Sequence, residues 1–334
     1  MLALTLVVGG GCQSWAPREQ LSRHEFTRPE MGLSFRIVLY ADSPERAKRA
    51  ADAAFARIQQ LNDILSDYDS DSELSRLSMS SGQGRVVPVS ADLWRVLEAS
   101  QKMSARSGGA FDITVGPVVN LWRKARREKK LPDPERLAAA RALVGYQNLR
   151  LDPRGRTARL EVAGMRLDLG AIAKGYAVDE ALKVLRTNGV TRALVAGGGD
   201  MAAGDPPPGQ KGWRIELAPL DVANPSATEF VWLARGGLAT SGDLFQRLEI
   251  DGKRYSHIVD PHTGLGLIDH SLVVVLARDG ITADGLSTAI SVLGPERGLA
   301  LARSTGGVEV RIARQPDGAL ERFQTSGFAR HLAK

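Results

Sequence analysis

Cysteine is nearly absent from this sequence of 334 residues, in which only Cys12 occurs. One cysteine excludes an internal disulfide bond. After the N-terminus, no stretch approaches the roughly 18 consecutive apolar residues that a membrane-spanning helix requires. The chain is nevertheless long enough to bury a sizeable core, and its 43% hydrophobic and 25% charged residues are ordinary for a soluble globular protein.

Aromatic residues are also scarce, at 5% of the chain, and this argues against one class of partner. Basic residues outnumber acidic ones by 44 to 38, and most of the surplus could come from the run "RKARREKK" at 123–130. A nucleic-acid surface interleaves basic and aromatic side chains, but this run contains no aromatic residue, so no nucleic-acid partner is expected. Two interpretations stay open: a solvated face of a helix or loop, or a surface for anionic lipid or an acidic partner.

The first twelve residues, "MLALTLVVGGGC", combine an apolar stretch with small residues before Cys12. This resembles the end of a bacterial lipoprotein signal, in which the cysteine becomes the lipidated N-terminus. The sequence departs from that pattern in having no basic segment at its start and Gly9 where leucine is usual. The resemblance predicts a signal remnant at 1–12, a polar tether at 13–30, and a periplasmic protein that is lipid-anchored to the inner membrane. An artefactual or cytosolic N-terminus is the alternative.

Hydrophobic periodicity predicts the main elements of the fold. Residues 33–41 alternate between two faces and predict a strand, whereas 44–66 carry an apolar stripe at helical spacing. Residues 66–78 are polar and predict a loop, and "SLVVVLA" at 271–277 predicts a buried strand. Strands outnumber helices and occur in meanders, without a linker or repeat after residue 30. We therefore predict one α+β domain over 31–334, with a mixed, mostly antiparallel sheet and packed helices.

The segment "GGGDMA" fits the glycine pattern of a dinucleotide-binding loop. Such a loop must open a helix, because the helix N-terminus holds the pyrophosphate. Here the chain continues into "AAGDPPPG", and three consecutive prolines forbid that helix. NAD binding through this motif is therefore rejected, although the glycines still permit close approach of the backbone to another group.

Asp284 and Thr288 stand four residues apart in the predicted helix that contains "ITADGLSTAI". This spacing places both side chains on one helix face. An aspartate at the second or third helical position is often only a stabiliser of the helix dipole. The functional interpretation is a surface-facing site for a hard cation. One carboxylate and one hydroxyl suit Mg²⁺, which is completed by waters and substrate phosphates, whereas zinc would require His or Cys ligands.

Three further segments combine strand ends, glycines and polar side chains. "LDLGAIAKGYAVD" has Asp168 at a strand end and Lys174 in the first turn of a helix, a position that favours anionic groups. "GGAFDITVGP" contains Asp112, and "YSHIVDPHTG" has His257 just before a turn. Taken singly, each segment is also compatible with an ordinary structural role.

Together these segments resemble the ApbE family, the FAD:protein FMN transferases. The motifs that carry the resemblance are, in order, "GAFDITVGPVVNLW", "LDLGAIAKGYAVD", "ALVAGGGDM", "YSHIVDPHTG" and "TADGLSTAISVLG". Family-like features extend from Met31-Gly32 to about Ala302, with one departure at Leu33, where the family more often has Thr. The resemblance implies a T-fold-like arrangement and an enzyme that cleaves FAD at its pyrophosphate. Such enzymes attach the FMN half to a Thr or Ser hydroxyl of a target protein, often a membrane redox subunit, and release AMP.

The resemblance also implies roles for individual residues. Mg²⁺ is implied at Asp284, Thr288 and a backbone oxygen of Ala171. His257 is the candidate base or substrate-orienting group, because its pKa is useful near neutrality, and Asp284 is the second candidate catalytic residue. Lys174 would supply a fixed positive charge. The implied FAD contacts are Met31, Tyr68, Ala110, Phe111, Asp112, Asp168, Lys174, His257, Ile258 and Val259.

Two other functions remain compatible with the sequence. In the first, water replaces the protein hydroxyl, which makes the chain a Mg²⁺-dependent FAD pyrophosphatase. In the second, the chain is a non-catalytic flavin-binding lipoprotein that carries or stores the flavin. Release of AMP from FAD would argue against the second, and mass analysis of an acceptor protein would separate transfer from hydrolysis.

Overall fold

The computed structural model describes residues 21–220, 228–243, 246–316 and 319–333. The predicted lipidation at Cys12 therefore lies outside the described residues. The helices are α1 (Pro44–Leu65), α2 (Glu73–Met79), α3 (Ala91–Arg106), α4 (Gly116–Glu128), α5 (Pro134–Arg141), α6 (Ala173–Thr187) and α7 (Gly280–Ser304). The strands are β1 (Ser22–Glu30), β2 (Leu33–Ala41), β3 (Val87–Pro88), β4 (Leu149–Asp152), β5 (Thr157–Leu160), β6 (Ala193–Gly197), β7 (Asp200–Ala203), β8 (Trp213–Glu216), β9 (Phe230–Leu233), β10 (Gly236–Gly242), β11 (Arg247–Ile250), β12 (Lys253–Ser256), β13 (Ser271–Ala277), β14 (Glu309–Arg314), β15 (Glu321–Gln324) and β16 (Leu332–Ala333).

Eight strands form the central sheet, in the order β1-β2-β6-β7-β10-β13-β14-β15. Every neighbouring pair in this order is antiparallel. The two strands that were predicted at 33–41 and 271–277 have these bounds in the structure. The predicted α+β class with a mostly antiparallel sheet is confirmed.

Helices cover one face of the central sheet, and the small sheet β16-β9-β8 covers the other. Alternate residues of one strand therefore enter different cores. Val273 and Val275 of β13 join Ile37 of β2 on the helix side, whereas Val274 joins Val38 on the side of the small sheet. Burial on both faces explains why β13 is a continuous apolar run.

The α1 helix forms as predicted, to within one residue at its end. Ser43 caps it by accepting a hydrogen bond from Arg46 N at 3.3 Å, and Pro44 occupies the first turn. Although α1 has 22 residues, only one stripe of it is apolar. Within the described ranges, no helix combines the length and apolar character that crossing a bilayer requires.

The prediction of a tether over 13–30 is wrong for its second half. Ser22–Glu30 form β1, which pairs with β2 from Ser22 opposite Ala41 to Glu30 opposite Leu33. β1 is an edge strand, and most of its residues are at least partly exposed. The polar composition of β1 gave no strand signal, because this strand is held by backbone hydrogen bonds to β2.

The prediction of a loop over 66–78 is also wrong in its second half. Glu73–Met79 form the short helix α2, and the Ser72 side chain caps it by accepting a hydrogen bond from Ser75 N at 3.0 Å. Leu74 and Leu77 are buried in the main core. Two apolar residues give too weak a periodic signal, so tertiary packing decides the conformation here.

The glycine-rich segment that was rejected as a dinucleotide loop forms a tight hairpin between β6 and β7. Gly198 adopts φ 64° at its turn, and a Cβ atom on Gly197 would lie 2.4 Å from the Phe35 ring. From β7 the chain continues to β8 without an intervening helix, as the three prolines predict. The hairpin brings Asp200, the first residue of β7, toward the start of α6.

Candidate active site

Asp284 lies in the second turn of α7 and is only 2% exposed. The helix begins at Gly280 after Asp279, whose side chain accepts a hydrogen bond from Thr282 N at 3.1 Å. Asp279 therefore caps the helix N-terminus, and Asp284 follows one turn later. The expectation that Asp284 faces the surface is wrong, because α6 covers it.

The first turn of α6 presents a backbone donor to Asp284. Gly175 N donates to Asp284 Oδ2 at 2.9 Å. Gly175 is the third residue of α6, so its N–H has no acceptor within the helix and is satisfied by the carboxylate instead. Within the described residues, no hydrogen bond reaches the carbonyl oxygen of Ala171, which lies just before α6. This carbonyl is a backbone acceptor that a cation could use.

Lys174 joins Asp284 to a second buried carboxylate, Asp200. Lys174 Nζ lies 2.9 Å from Asp200 Oδ2 and 3.4 Å from Asp284 Oδ2, and it donates to the Gly170 carbonyl at 3.0 Å. Burial and repulsion from Asp284 raise the pKa of Asp200 to about 7. Burial alone would lower the pKa of Lys174, but the two carboxylates raise it above its ordinary value. With both carboxylates ionised, this cluster carries a net charge of −1.

Hydroxyl groups lie one turn further along α7. Ser241 Oγ on β10 is 2.7 Å from Ser287 Oγ and 3.5 Å from Thr288 Oγ1. Thr288 therefore points toward the same end of β10 as its neighbour Ser287. The predicted pairing of Asp284 and Thr288 on α7 brings a carboxylate and a hydroxyl together at the sheet end.

The donor set of this cluster fits a hard divalent cation. Its acceptor groups are carboxylate and hydroxyl oxygens, and the Ala171 carbonyl lies four residues before Gly175, whose N–H bonds Asp284. A buried cluster of net negative charge gains from a positive ion, and Mg²⁺ prefers such oxygen ligands. In the described part of the chain, no group of three His, Cys, Asp or Glu side chains is arranged to hold a metal. A cation here would therefore depend on the carbonyl and the hydroxyl as well as on Asp284.

Asp168 lies at the other side of the α6 N-terminus and is held by an arginine. Arg123 Nη2 donates to Asp168 Oδ2 at 2.8 Å, and its Nη1 contacts Asp67. The Arg123 guanidinium also stacks 4.2 Å from the ring of Tyr68, which is 79% exposed. Burial and the neighbouring Asp67 raise the pKa of Asp168 despite the arginine. Tyr68 thus offers an exposed aromatic ring beside Asp168, positioned by Arg123.

Asp112 is a buried carboxylate whose partners belong to the protein itself. It accepts hydrogen bonds from Thr114 N and Tyr146 N, each at 2.8 Å, and from Thr114 Oγ1 at 2.7 Å. Burial raises the pKa of Asp112. The adjoining strand-like segment lies beside Asp168, because Asp168 N donates to the Ile113 carbonyl at 2.8 Å. The two predicted aspartates are therefore neighbours.

His257 is half-buried and has its ring orientation fixed. Its Nδ1 lies 3.1 Å from the Gln246 carbonyl oxygen, which also accepts from His257 N at 3.0 Å. Since a carbonyl only accepts, the neutral ring carries its proton on Nδ1 and its lone pair on Nε2. Burial lowers the pKa of His257, and the positive charges of Arg126 and Lys174 lower it further. His257 is therefore a neutral base near pH 7.

Several predicted flavin contacts have side chains that are largely buried. Ala110 and Phe111 are buried at 2% and 1% exposure, and Ile258 and Val259 are both 8% exposed. Contact from these residues would come from the backbone. Met31 differs, because it forms a hairpin turn with φ 50° between β1 and β2 and is only partly buried against the core.

The loops that carry these residues contact one another. His262 Nε2 lies 3.1 Å from the Gly108 carbonyl oxygen, which joins the His257 loop to the segment that contains Asp112. Trp122 Nε1 of α4 donates to the Gly264 carbonyl at 2.8 Å. The five motifs that are separate in sequence thus form one continuous region around the start of α6.

The family model described as "ApbE family" matches residues 31–312 of this chain. The chain belongs to the ApbE family. That match begins at Met31, directly after β1, and ends within β14, so it includes every residue of the region described above.

Curated relatives and solved structures agree with this assignment. The chain is 32% identical to a FAD:protein FMN transferase of Vibrio cholerae over 99% of its own length and 97% of the relative, and 33% identical to one of Haemophilus influenzae over 86% of each. The solved flavin transferase ApbE of Vibrio cholerae superposes with a TM-score of 0.83, at 30% identity over 93% of this chain and 100% of that one. The apo flavinyl transferase ApbE of Pseudomonas stutzeri gives 0.81, at 34% identity over 93% and 97%.

Two residues of this ApbE-family site were not singled out from the sequence. Asp200 lies in the family-like motif "ALVAGGGDM" but was given no role of its own. Arg123 was included in the basic run at 123–130, whose interpretation as a solvated face is wrong for this residue. The arginine side chain is only 15% exposed. A carboxylate that directly follows a buried apolar strand was the available signal for Asp200, but Arg123 gave none.

Gly175 allows α6 and α7 to touch, and its replacement by alanine is expected to disrupt the site. A Cβ atom there would lie 2.3 Å from the Gly280 carbonyl oxygen and 2.7 Å from Asp284 Cβ. Gly175→Ala must push the helices apart, at a cost of about 1–3 kcal/mol. We expect a lower Tm and loss of FAD turnover. Gly306→Ala is the control, since no atom lies within 4 Å of its Cβ position. Equal Tm and turnover for the two variants would contradict the close approach.

Proposed function

We propose that this ApbE-family chain transfers FMN from FAD to a Thr or Ser hydroxyl of another protein, with release of AMP and with a requirement for Mg²⁺. The acceptor is expected to be a membrane redox subunit. The observation that carries the proposal is the buried cluster at the α6–α7 contact, where Gly175 N bonds Asp284 and Lys174 joins Asp284 to Asp200. In the described residues, the Ala171 carbonyl just before α6 accepts no hydrogen bond. The names of relatives that match nearly the whole chain support the same activity.

The residues that would hold Mg²⁺ are Asp284, Thr288 and the Ala171 carbonyl. When bound, Mg²⁺ supplies positive charge beside the pyrophosphate, where negative charge develops during phosphoryl transfer. Lys174 supplies a second positive charge from a fixed position, because Asp200 and the Gly170 carbonyl hold its ammonium group. Both positive charges would stabilise the negative charge on the AMP half of FAD as it leaves.

The transfer step makes one bond and breaks one. The acceptor hydroxyl oxygen bonds to the phosphorus on the FMN side of FAD, and the P–O bond to the AMP half breaks. The hydroxyl proton goes to His257 Nε2, which carries the lone pair in the neutral ring. AMP leaves with the bridging oxygen, and FMN stays on the acceptor as a phosphate ester.

The FAD substrate is expected to lie along the segments that meet around the α6 start. Tyr68 offers an exposed ring for stacking, and Arg123 holds both Tyr68 and Asp168 in place. Asp168 is suited to a ribose hydroxyl or an adenine edge. Contacts from Ala110, Phe111, Ile258 and Val259 would use backbone groups, because their side chains are buried.

An FAD pyrophosphatase is the alternative, and a single reaction separates it from the transferase. The protein is incubated with FAD, MgCl₂ and membrane proteins encoded beside it, and flavin fluorescence is then read in a denaturing gel. Transfer leaves fluorescence on an acceptor band, whereas hydrolysis releases AMP and free FMN without any labelled band. A flavin-binding protein without activity releases no AMP.

Cys12→Ser is expected to move the protein from the membrane fraction to the soluble periplasm. The proposal places the chain at the periplasmic side of the inner membrane through lipid on Cys12, and stable anchoring requires two or more acyl chains on that single cysteine. Fractionation of cells that express either form measures the change. Equal retention of both forms in the membrane fraction would contradict the lipid anchor.

A further inference from the structure

Helix α4 is fixed between the two halves of the candidate site. Trp122 and Ala125 are buried on one side of it, in a cluster with Leu248 and Val259, and Trp122 lies 5.4 Å from the ring of Tyr255. This side joins α4 to the segment that carries His257. On its other side, the neighbouring Arg123 joins the helix to Asp168. The position of α4 is therefore set by both parts of the site.

The C-terminal half of α4 presents cations that have few acidic partners. We define the α4 basic face as Lys124, Arg126, Arg127, Lys129 and Lys130. Lys124 lies 3.7 Å from Glu128, a weak exposed pair. For the other four, no carboxylate lies within ion-pair distance in the described residues, in contrast to Arg123, which contacts two. The face carries five positive charges against one negative charge.

Arg126 is the member of this face that turns toward the site. It follows Trp122 by four residues and Arg123 by three, so it lies above the two side chains that anchor the helix. It is half-buried, unlike the exposed Arg127 and Lys130. Burial and repulsion from Arg123 and Arg127 lower its pKa, and its charge also acts on His257. The helix dipole favours cations in a last turn, but it does not account for an arginine turned inward without a counter-ion.

We propose that the α4 basic face binds an acidic segment of the acceptor protein beside the hydroxyl that receives FMN. This inference rests on the proposed transfer function, which requires a protein hydroxyl to reach His257. Because α4 packs against the His257 segment and the charge of Arg126 acts on His257, an acceptor bound at His257 would come near this helix. In the proposed mechanism Lys174 provides the positive charge for the FAD phosphates. Arg126 is therefore available to an anionic group of the acceptor protein.

Exposed apolar side chains border the same face and suit a peptide rather than a free ion. Leu131 directly follows the basic run, and Leu265 follows Gly264, whose carbonyl is bonded to Trp122. Both are 46% exposed. A segment that combines acidic and apolar residues would contact both kinds of surface. The neighbourhood of the transfer site favours this occupant over a membrane, since a bilayer on α4 would cover the entrance.

The test uses two fluorescein-labelled peptides, each with a single Thr, that differ only in having Asp and Glu or Asn and Gln at the flanking positions. Their binding to the FAD-loaded protein is measured by anisotropy. We expect the acidic peptide to bind at least about tenfold more tightly at low salt, which is about 1.4 kcal/mol. The preference should disappear near 0.5 M NaCl, because the Debye length then falls to about 4 Å.

The variant Arg127→Glu/Lys130→Glu reverses two exposed charges of the face, and Lys183→Glu/Arg186→Glu is the matched control. The control pair is exposed near the end of α6, so both variants place acids near a helix C-terminus. We expect the first to lose the preference for the acidic peptide and the second to retain it. Arg126→Gln should give a smaller loss in the same direction. Equal affinity of the two peptides for the wild type, or retention of the preference by the first variant, would overturn the proposal.

Two further measurements on Arg127→Glu/Lys130→Glu exclude other ligands for the face. A tenfold loss of FAD affinity with unchanged peptide binding would assign the face to the FAD phosphates and overturn the proposal. Loss of binding to phosphatidylglycerol vesicles with unchanged peptide binding would assign it to the membrane and also overturn it. If AMP forms but no Thr is labelled, the transferase function fails, while the anisotropy values still decide whether the face binds acidic peptide.

Discussion

Asp284→Asn is expected to lower the rate of FAD turnover by about 10³-fold, because it removes the charge that holds a cation at the pyrophosphate. Asparagine keeps the size of the side chain and an oxygen for Gly175 N, so the α6–α7 contact should survive. The rate is measured in single turnover as AMP formation. Mg²⁺ binding by calorimetry provides a second readout that does not depend on activity, and it should be lost.

The matched control is Glu296→Gln, which neutralises an exposed carboxylate on the same helix. It should leave both turnover and Mg²⁺ binding unchanged. Asp284→Ala is a poorer test, because Gly175 N and Lys174 would lose a buried acceptor at a cost of about 1–3 kcal/mol. If Asp284→Asn turns over FAD at the wild-type rate with Mg²⁺ bound as before, the metal assignment is wrong.

His257→Ala is expected to lower FMN transfer by about 10²–10⁴-fold while the affinity for FAD changes little. A group that accepts the proton of the acceptor hydroxyl acts in the transition state and contributes little to the ground-state complex. Single-turnover transfer and quenching of flavin fluorescence measure the two quantities. His331→Ala, in a distant segment near the C-terminus, is the control for loss of a histidine. A matched loss of transfer and FAD affinity would make His257 a binding residue instead.

The pH dependence of transfer gives a separate test of His257. A base acts in its neutral form, so the rate should rise with pH through the pKa of His257. Because burial, Arg126 and Lys174 lower that pKa, the midpoint of the rise should lie below about pH 6.5, the ordinary value for histidine. In His257→Ala this rise of the transfer rate with pH should be absent. If the transfer rate of His257→Ala still rises with pH over the same range, another group accepts the proton of the acceptor hydroxyl.

The parts of the fold that sequence predicts well are those whose signal is local. β2 and β13 were bounded correctly because alternation and a continuous apolar run are properties of consecutive residues. The α1 stripe is likewise visible at helical spacing. β1 and α2 were missed, since β1 is a polar edge strand that depends on pairing with β2, and α2 depends on burying Leu74 and Leu77 against distant elements. Pairing and burial of this kind are not encoded in a short window.

The same distinction applies to the site. Asp284 and Thr288 share one helix, so their pairing followed from spacing alone. That Gly175 N would bond the Asp284 carboxylate depends on two helices that meet more than one hundred residues apart in sequence. Asp200 and Arg123 enter the site through similar long-range contacts, with Lys174 and Asp168 respectively. Motif resemblance located the region, but only the fold identifies these partners.

The account depends most directly on where FMN goes when FAD is cleaved. The decisive measurement is mass spectrometry of a co-encoded membrane redox protein after incubation with the enzyme, FAD and MgCl₂, with AMP quantified in the same sample. We predict one FMN in phosphoester linkage to a Thr or Ser of the acceptor for each AMP released, and no labelling with Asp284→Asn. AMP formation accompanied only by free FMN, with the acceptor unmodified, would contradict the transferase function and leave a pyrophosphatase.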